Sequence, residues 1–335
     1  MITHRNKCIR KNLPGSIFLW LYPNSRDISP MKLAAIDIGS NAIRFQVIRA
    51  IRYKEALSFK KLEYVRFPLR LGQEVFNSGY ISEPTIVRFM KLMQSFKLLL
   101  DLYEVQGFTA VATSAMREAN NGQEVLERIR HDFDIAVDII SGKEEAEILS
   151  VAIRPFIDHG NFLHIDVGGG STELNFYRER ERLNSKSFRI GTVRKLTRKQ
   201  KMSVFAEAEE WIAAERANFA EGTPVYAVGT GGNIRKLFQL SIFPRSGSIT
   251  FSELQALQAY VGALSLEDRL NLLKLNPDRA DVIIPAAEIY IEVMRRCGAD
   301  RILVPNVGLK DGLLYRLYES VTGNKIQQIE FLDQI

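Results

Sequence analysis

One stretch of sequence decides the fold, and it occurs twice in the chain. Residues 34–47 read AAIDIGSNAIRFQV, and residues 163–176 read LHIDVGGGSTELNF. At a shift of 129 positions, Ile36-Asp37-Ile38-Gly39 aligns with Ile165-Asp166-Val167-Gly168, and apolar alternation continues beyond the glycines. Each copy has a buried strand, a carboxylate, a turn and a second strand, which is typical of a β-hairpin. The repetition indicates a duplicated hairpin.

The segments around the two copies predict an α/β protein. Short apolar or β-branched runs alternate with helical periodicity from residue 32 onward. Between Ile86 and Tyr103, apolar residues recur at steps of three and four, which predicts a helix with Ser82 as its cap and Pro84 in its first turn. The apolar segment 281–297 predicts a buried helix. Strands are predicted at 33–37, 43–50, 108–113, 135–140, 162–166, 173–177 and 224–228.

Length and composition favour a two-domain globular protein. The 335 residues are about twice the ~150 typical of one domain, and we place the domains at 31–155 and 156–335. A hydrophobic content of 46% with 25% charged residues excludes a disordered or low-complexity chain. No apolar run approaches the ~20 residues that cross a bilayer, so no membrane association is expected. Two cysteines, Cys8 and Cys297, make no disulfide framework, which favours the cytoplasm.

Much of the positive charge lies in the first 30 residues. Five basic residues stand there against Asp27, a net +4 of the +6 for the whole chain, so residues 31–335 are nearly balanced and nucleic-acid binding is not expected. We interpret residues 1–30 as a disordered extension. Residues 178–201 are the other basic segment, with ten Lys or Arg against two Glu. This segment is either a solvated face or a guide for a long polyanion.

The glycine turns after Asp37 and Asp166 suit phosphate binding, since glycine and serine leave backbone N–H groups accessible to phosphate oxygens. Mg²⁺ between these carboxylates and a polyphosphate would balance the charge. The alternative is two tight hairpins with solvated carboxylates. A third cluster, residues 229–233, precedes a predicted helix at 233–240. Its Gly231, Gly232 and Asn233 could contact a further phosphate.

The segment 139–154, IISGKEEAEILSVAIR, contains a candidate general base. If Ser141 caps a helix, Glu144 completes a capping box three positions later. Glu145 then points about 100° away and remains available to deprotonate water. The alternative is that both glutamates are ordinary first-turn acids favoured by the helix dipole. Arg117 follows a strand and could meet a terminal phosphate.

Together these residues resemble the exopolyphosphatase and guanosine pentaphosphate (pppGpp) phosphatase family. The resemblance runs from residue 33 to about 319. It rests on AAIDIGSNAIRFQVI, ATSAMREA, IISGKEEAEIL, HIDVGGGSTEL, SFRIGTVRKL, AVGTGGN and VGLKDGLLYRL in that order. It implies the two-domain actin-like (ribonuclease H-like) ATPase fold with an interdomain cleft. It also implies that the last helix, about 308–319, packs on the first domain.

The resemblance also implies roles for particular residues. Glu145 would be the catalytic base, and Asp166 and Glu173 would act on Mg²⁺ or on the attacking water. The charge argument at the glycine turns adds Asp37 as a further metal ligand. The phosphate-binding set would combine residues of the first domain with the second glycine loop: Ser40, Asn41, Arg117, Gly168, Gly169, Gly170, Ser171 and Thr172. Family analogy alone suggests a homodimer.

The function expected on these grounds is Mg²⁺-dependent hydrolysis of the terminal phosphoanhydride of inorganic polyphosphate. The basic segment 178–201 and the absence of an evident aromatic pair for guanine favour polyphosphate over pppGpp. Hydrolysis of pppGpp to ppGpp is the first alternative. A kinase of the same fold and a sensor that binds pppGpp or polyphosphate without turnover are the others.

Overall fold

The computed structural model describes residues 17–19, 31–53, 56–219, 222–241, 247–323 and 329–331. The predicted disordered extension, residues 1–30, lies outside the described residues except for Ile17–Leu19. Those three residues form strand β1, which pairs antiparallel with residues 107–109.

Strands and helices alternate along the chain, as the apolar pattern predicts. The strands are β1 (Ile17–Leu19), β2 (Met31–Ile38), β3 (Ile43–Tyr53), β4 (Ala56–Phe67), β5 (Gly107–Ala112), β6 (Asp138–Ile139), β7 (Asn161–Val167), β8 (Thr172–Arg178), β9 (Glu181–Phe188), β10 (Val225–Thr230), β11 (Ser248–Thr250), β12 (Arg301–Leu303) and β13 (Ile329–Phe331). The helices are α1 (Leu71–Ser78), α2 (Glu83–Leu102), α3 (Ser114–Glu118), α4 (Gly122–Phe133), α5 (Gly142–Ile153), α6 (Arg198–Arg216), α7 (Gly232–Leu240), α8 (Phe251–Ala263), α9 (Leu266–Asn271), α10 (Pro277–Ala280), α11 (Ile283–Cys297) and α12 (Leu309–Thr322), with a 3₁₀ turn at Arg154–Phe156.

The chain forms two compact units, each built on one sheet. Unit 1 comprises Met1–Leu71, Gly79–Ile140 and Leu309–Ile335, and unit 2 comprises Gly72–Ser78 and Ser141–Gly308. The sheet of unit 1 has the order β1-β5-β2-β3-β4-β13, with β6 beside β5. The sheet of unit 2 has the order β11-β12-β10-β7-β8-β9.

The same strand arrangement forms the centre of both sheets. In unit 1, β2, β3 and β4 form an antiparallel meander and β5 runs parallel to β2. In unit 2, β7, β8 and β9 form the meander and β10 runs parallel to β7. The hairpin registers also coincide, because Asp37 faces Arg44 and, 129 positions later, Asp166 faces Glu173. The predicted actin-like α/β fold with a duplicated hairpin is confirmed.

The core of unit 1 lies between its sheet and the buried faces of helices α2 and α12. Helix α2 buries the predicted apolar stripe, including Phe89, Met93 and Phe96. Ser82 is its N-cap residue, as predicted, although the serine side chain makes no capping hydrogen bond. Helix α12 packs against β2 and β5 through a mainly apolar face that includes the fully buried Tyr315.

Helix α11 is the centre of the core of unit 2. Nine of its fifteen residues are buried, and it packs against α6, α8 and β7. The predicted buried helix at 281–297 is therefore confirmed. Burial raises the pKa of the Cys297 thiol at its C-terminal end to about 11, so this thiol stays protonated at neutral pH.

The predicted strands differ from the structure in two ways. The segment 135–140 contributes only the two residues of β6, beside β5. Strands β4 and β9 were not predicted, because their sequences, ALSFKKLEYVRF and ERLNSKSF, place charged residues where apolar alternation would indicate a strand. Among the described residues, we find no helix with the length and apolar character needed to cross a membrane.

Candidate active site

The end of the second hairpin places two carboxylates side by side. Asp166, near the end of β7, is the cross-strand partner of Glu173 near the start of β8. Glu173 is 2% exposed. Its Oε1 accepts hydrogen bonds from Ser171 Oγ at 2.6 Å and from Ser187 Oγ of β9 at 2.9 Å. These two donors hold the buried carboxylate in one orientation.

Helix α5 delivers a third carboxylate to the same place. Ser141 caps the helix and forms the predicted capping box, in which Glu144 N donates to Ser141 Oγ at 3.2 Å and Ser141 N donates to Glu144 Oε2 at 2.7 Å. The first turn lies against β9, where a Cβ on Gly142 would stand 2.9 Å from Ser187 Cβ. Glycine at this position allows the close approach, and Glu145 is buried as a result.

Glu145, Asp166 and Glu173 together form an acidic group. One carboxylate oxygen from each residue lies within 4.8 Å of the other two. Like charges at such separations in a partly buried place repel one another, and a divalent cation would offset that repulsion. Carboxylate oxygens are the ligands that Mg²⁺ prefers. The donor set therefore fits a hard divalent cation.

The second glycine loop, residues 168–171, is held from behind by residues 190–194. Thr192 N donates to Gly168 O at 3.0 Å, Val193 N to Gly169 O at 2.8 Å and Arg194 Nε to Gly170 O at 2.7 Å. Arg194 also stacks over the ring of Phe76, with its Cζ 4.0 Å from the ring centroid. The sequence identifies this segment as part of the motif SFRIGTVRKL and of the basic stretch 178–201, but its contact with the glycine loop was not predicted.

Within the loop, Gly168 and Gly169 are half-buried, whereas Gly170, Ser171 and Thr172 are buried. Thr172 Oγ1 donates to Ile190 O at 2.7 Å, and Ser171 donates to Glu173 as described above. Both hydroxyl groups thus have protein acceptors, and the backbone of the loop is the part that suits a phosphate.

The first hairpin differs from the second in its charge. Arg44 Nη1 donates to Asp37 Oδ2 at 2.7 Å, and the Asp37 side chain is almost fully buried. Arg44 occupies the register position that Glu173 has in the second hairpin. Unit 1 therefore contains an internal ion pair where unit 2 contains two carboxylates. The role of Asp37 as a metal ligand stays a prediction.

The other predicted phosphate-binding residues of unit 1 are anchored locally. Ser40 Oγ lies 2.8 Å from Ser114 Oγ and accepts a hydrogen bond from Ala115 N at 3.1 Å, at the start of α3. Arg117 is exposed, and its Nη1 donates to Ile140 O at 2.5 Å. The Asn41 carbonyl accepts from Arg70 N at 3.0 Å. Their roles in phosphate binding stay predictions.

The third glycine cluster begins at the end of β10. Gly231 is the N-cap residue of α7, and Gly231, Gly232 and Asn233 are half-buried. The residue before them, Thr230, donates from Oγ1 to Asp166 Oδ1 at 2.5 Å. Sequence reasoning missed Thr230. The parallel pairing of β10 with β7, which sets Thr230 beside Asp166, is a feature that only the structure supplies.

Acidic residues from other parts of the chain partly neutralise the basic segment 178–201. The ion pairs that its cations form with acids elsewhere in the chain include Arg180 with Asp158, Arg182 with Glu147, Lys186 with Glu207 and Lys201 with Glu288. Such surface pairs add little stability, but they lower the net field of the segment. Three exposed cations near the start of α6 are Lys195, Arg198 and Lys199.

Comparisons with known proteins place these features in a family. A sequence model described as the Ppx/GppA phosphatase family matches residues 50–321. Exopolyphosphatase 1 of Mycobacterium bovis is 26% identical over 310 residues, which cover 87% of this chain and 89% of the relative. The guanosine-5'-triphosphate,3'-diphosphate pyrophosphatase of Aeromonas hydrophila is 26% identical over 295 residues, covering 85% of this chain and 59% of the relative.

Solved structures show the same fold. A Ppx/GppA family member from Aquifex aeolicus superposes with a TM-score of 0.68 at 24% identity, over 89% of this chain and 100% of the other. An exopolyphosphatase from Cytophaga hutchinsonii superposes with a TM-score of 0.74 at 23% identity, over 88% of this chain and 99% of the other.

Proposed function

Because the chain belongs to the Ppx/GppA phosphatase family, we propose that it is an exopolyphosphatase, a Mg²⁺-dependent hydrolase that releases orthophosphate from the end of inorganic polyphosphate. One observation carries the proposal: Glu145, Asp166 and Glu173 present carboxylate oxygens within 4.8 Å of one another. Asp166 and Glu173 belong to the same hairpin as the second glycine loop, and helix α5 of the same unit brings Glu145 to them. Phosphoanhydride hydrolysis requires a loop that binds the phosphate and a group that binds a cation.

Asp166 and Glu173 would hold the metal. Both lie at the end of one hairpin, and Glu173 receives two serine hydroxyl donors that fix its orientation. When bound, Mg²⁺ supplies charge neutralisation at the phosphate that is transferred. The backbone of Gly168, Gly169 and Gly170 would bind the terminal phosphate oxygens.

Glu145 would act as the general base. It lies buried in the first turn of α5, where the capping box occupies Glu144 instead. From this position its carboxylate would orient a water molecule for in-line attack on phosphorus and accept its proton. The leaving group would be a polyphosphate one unit shorter.

The substitution Glu145→Gln tests this mechanism. Gln keeps the size of the side chain but cannot accept the proton, so kcat should fall by roughly 10²-fold or more while the Kd for substrate changes little. Glu144→Gln is the matched control, since glutamine still supplies the oxygen for the capping box and turnover should stay near that of the parent. Undiminished turnover of the Glu145→Gln protein would remove Glu145 from the mechanism.

A second candidate substrate is pppGpp, because a relative named for acting on it has the same 26% identity to this chain as the exopolyphosphatase. Both substrates end in a phosphoanhydride. Orthophosphate release from polyphosphate and from pppGpp, measured in parallel with Mg²⁺, separates them by the ratio of their kcat/KM values. A higher kcat/KM for pppGpp would reverse our assignment, and binding of either compound without phosphate release would identify a sensor.

A further inference from the structure

A chain of hydrogen-bonded side chains leads to the Asp166 carboxylate from the interior of unit 2. Asn175 Nδ2 lies 3.1 Å from His164 Nδ1, and His164 Nε2 lies 2.8 Å from Thr230 Oγ1. Thr230 Oγ1 in turn lies 2.5 Å from Asp166 Oδ1. Asn175 and His164 are completely buried and Thr230 is 1% exposed. Water therefore cannot replace any of these partners without a rearrangement.

With Asp166 ionised, the four groups form a chain of hydrogen bonds with one consistent set of directions. An ionised carboxylate only accepts, so the hydroxyl of Thr230 must donate to Asp166. The Thr230 oxygen then accepts from His164 Nε2–H, and the lone pair on His164 Nδ1 accepts from the amide of Asn175. With Nε2 as the donor and Nδ1 as the acceptor, the imidazole ring carries its proton on Nε2.

A second contact fixes the backbone of Thr230 to the same strand. The Tyr290 hydroxyl of α11 donates to Thr230 O and accepts from Val167 N at 3.3 Å. Tyr290 is completely buried, so this bridge between the ends of β10 and β7 is shielded from solvent. Both the side chain and the backbone of Thr230 are therefore held against the segment that carries Asp166.

From this arrangement we infer that Thr230 is a positioning residue for the metal-binding group: its hydroxyl, oriented by His164, fixes the rotation of the Asp166 carboxylate. The inference rests on the proposed function, in which Asp166 is a metal ligand. Carboxylates that bind metals are usually held by such outer hydrogen bonds, and loss of one typically lowers metal affinity by roughly 10–100-fold. A carboxylate free to rotate would lose entropy on binding the cation.

The test compares Thr230→Val with Thr230→Ser in the full chain. Valine removes the hydroxyl at nearly constant volume, whereas serine keeps the donor. Mn²⁺ is the probe, because it prefers the same oxygen ligands as Mg²⁺ and its free concentration can be measured by electron paramagnetic resonance. Thermal unfolding without metal identifies any loss of the fold. Thr230→Ala gives the same comparison if the valine protein unfolds.

We expect the Kd for Mn²⁺ to rise at least about tenfold in Thr230→Val and to stay within about threefold of the parent in Thr230→Ser. Equal Mn²⁺ affinity in the folded parent and Thr230→Val proteins would overturn the inference and leave the proposed function intact. A parent protein that binds no Mn²⁺ would instead overturn the metal site of the proposed function, and the inference with it.

Discussion

The two hairpins differ in the charge of the residue that faces the aspartate. Arg44 in β3 and Glu173 in β8 occupy equivalent register positions, each facing the aspartate at the end of the preceding strand. In the first hairpin the arginine neutralises Asp37 within the protein, whereas in the second hairpin the two carboxylates accumulate negative charge. The duplicated backbone therefore carries two different electrostatic arrangements, and the second is the one suited to a cation.

Gly191 is the residue on which the backing of the glycine loop depends. A Cβ at this position would stand 2.5 Å from Gly169 O and 2.6 Å from Gly170 N, both of them backbone atoms. Gly191→Ala should therefore displace the loop, lower the free energy of unfolding by about 1–3 kcal/mol and reduce phosphate release. Chemical denaturation and a phosphate-release assay measure the two effects.

Gly262→Ala is the control for this substitution. Nothing lies within 4 Å of a Cβ at Gly262, which is an exposed position in α8, so alanine should stabilise the protein by up to about 1 kcal/mol and leave phosphate release unchanged. A Gly191→Ala protein with the stability and activity of the parent would show that the loop has room to move.

The residues of the candidate site differ in how far their positions could be predicted from the sequence. Glu145 could be predicted from helical geometry, because the capping box Ser141/Glu144 assigns its neighbour a structural role. Thr230 and Arg194 could not, since a threonine in a buried strand and an arginine in a basic segment are ordinary residues until tertiary pairing places them beside Asp166 and Gly170. Local sequence patterns predict local geometry, whereas contacts between residues distant in sequence can be read only from the folded structure.

At the scale of elements, the cap of α5 should matter for catalysis as well as stability. Ser141→Ala removes the cap, which should cost about 1 kcal/mol of unfolding free energy. Because Glu145 lies in the first turn, fraying there should also lower kcat by roughly tenfold or more. Thr250→Ala, which removes the corresponding cap of α8, should cost similar stability with no change in kcat. Equal kcat values for the two variants would contradict this link.

The capping boxes of α8 and α6 differ in whether their third helical residue can be protonated. Hydrogen bonds from the Thr250 backbone and side chain lower the pKa of Glu253 in α8 below its ordinary value of 4.5, whereas the box of α6 uses the neutral Gln200. A lowered pKa in the folded state means that this stabilisation is complete above pH 4.5 and is lost as the pH falls through the lower folded value.

The first turn of α8 should therefore lose protection against amide hydrogen exchange on acidification, by roughly fivefold, while the first turn of α6 should not. Exchange measured by mass spectrometry between pH 6 and pH 3, corrected for intrinsic rates, gives both values in one experiment. In Glu253→Gln the pH dependence in α8 should disappear. A parallel loss in α6 would point to general acid unfolding.

Elements with one buried face were the easiest to predict. The apolar steps between Ile86 and Tyr103 gave α2, and the repeated IDIG and IDVG segments gave the two hairpins. Strands β4 and β9 were missed for a physical reason: hydrogen bonds to β3 and β8 determine their conformation, and their many charged side chains hide the apolar alternation. Backbone pairing, which leaves little trace in sequence, decided these elements.

At the scale of the whole molecule, a cavity made in the core of one unit should loosen mainly the strands of that unit. Leu317 of α12 belongs to unit 1 and Met294 of α11 to unit 2, and both are almost fully buried. Replacement of either by alanine should cost about 2–5 kcal/mol. Leu317→Ala should raise amide exchange mainly in β2 and β5, and Met294→Ala mainly in β7 and β10. Equal increases in all four strands would indicate a single cooperative unit.

The chain begins unit 1, builds nearly all of unit 2 between Ser141 and Gly308, and returns to unit 1 with α12. On the ribosome, β2 and β5 are therefore synthesised long before the helix that covers them. Unit 2 has its whole sequence available first, so we expect it to fold first, reversing the usual order in which N-terminal domains precede later ones. Until α12 emerges, the face of β2 and β5 that this helix covers in the folded protein has no helix on it.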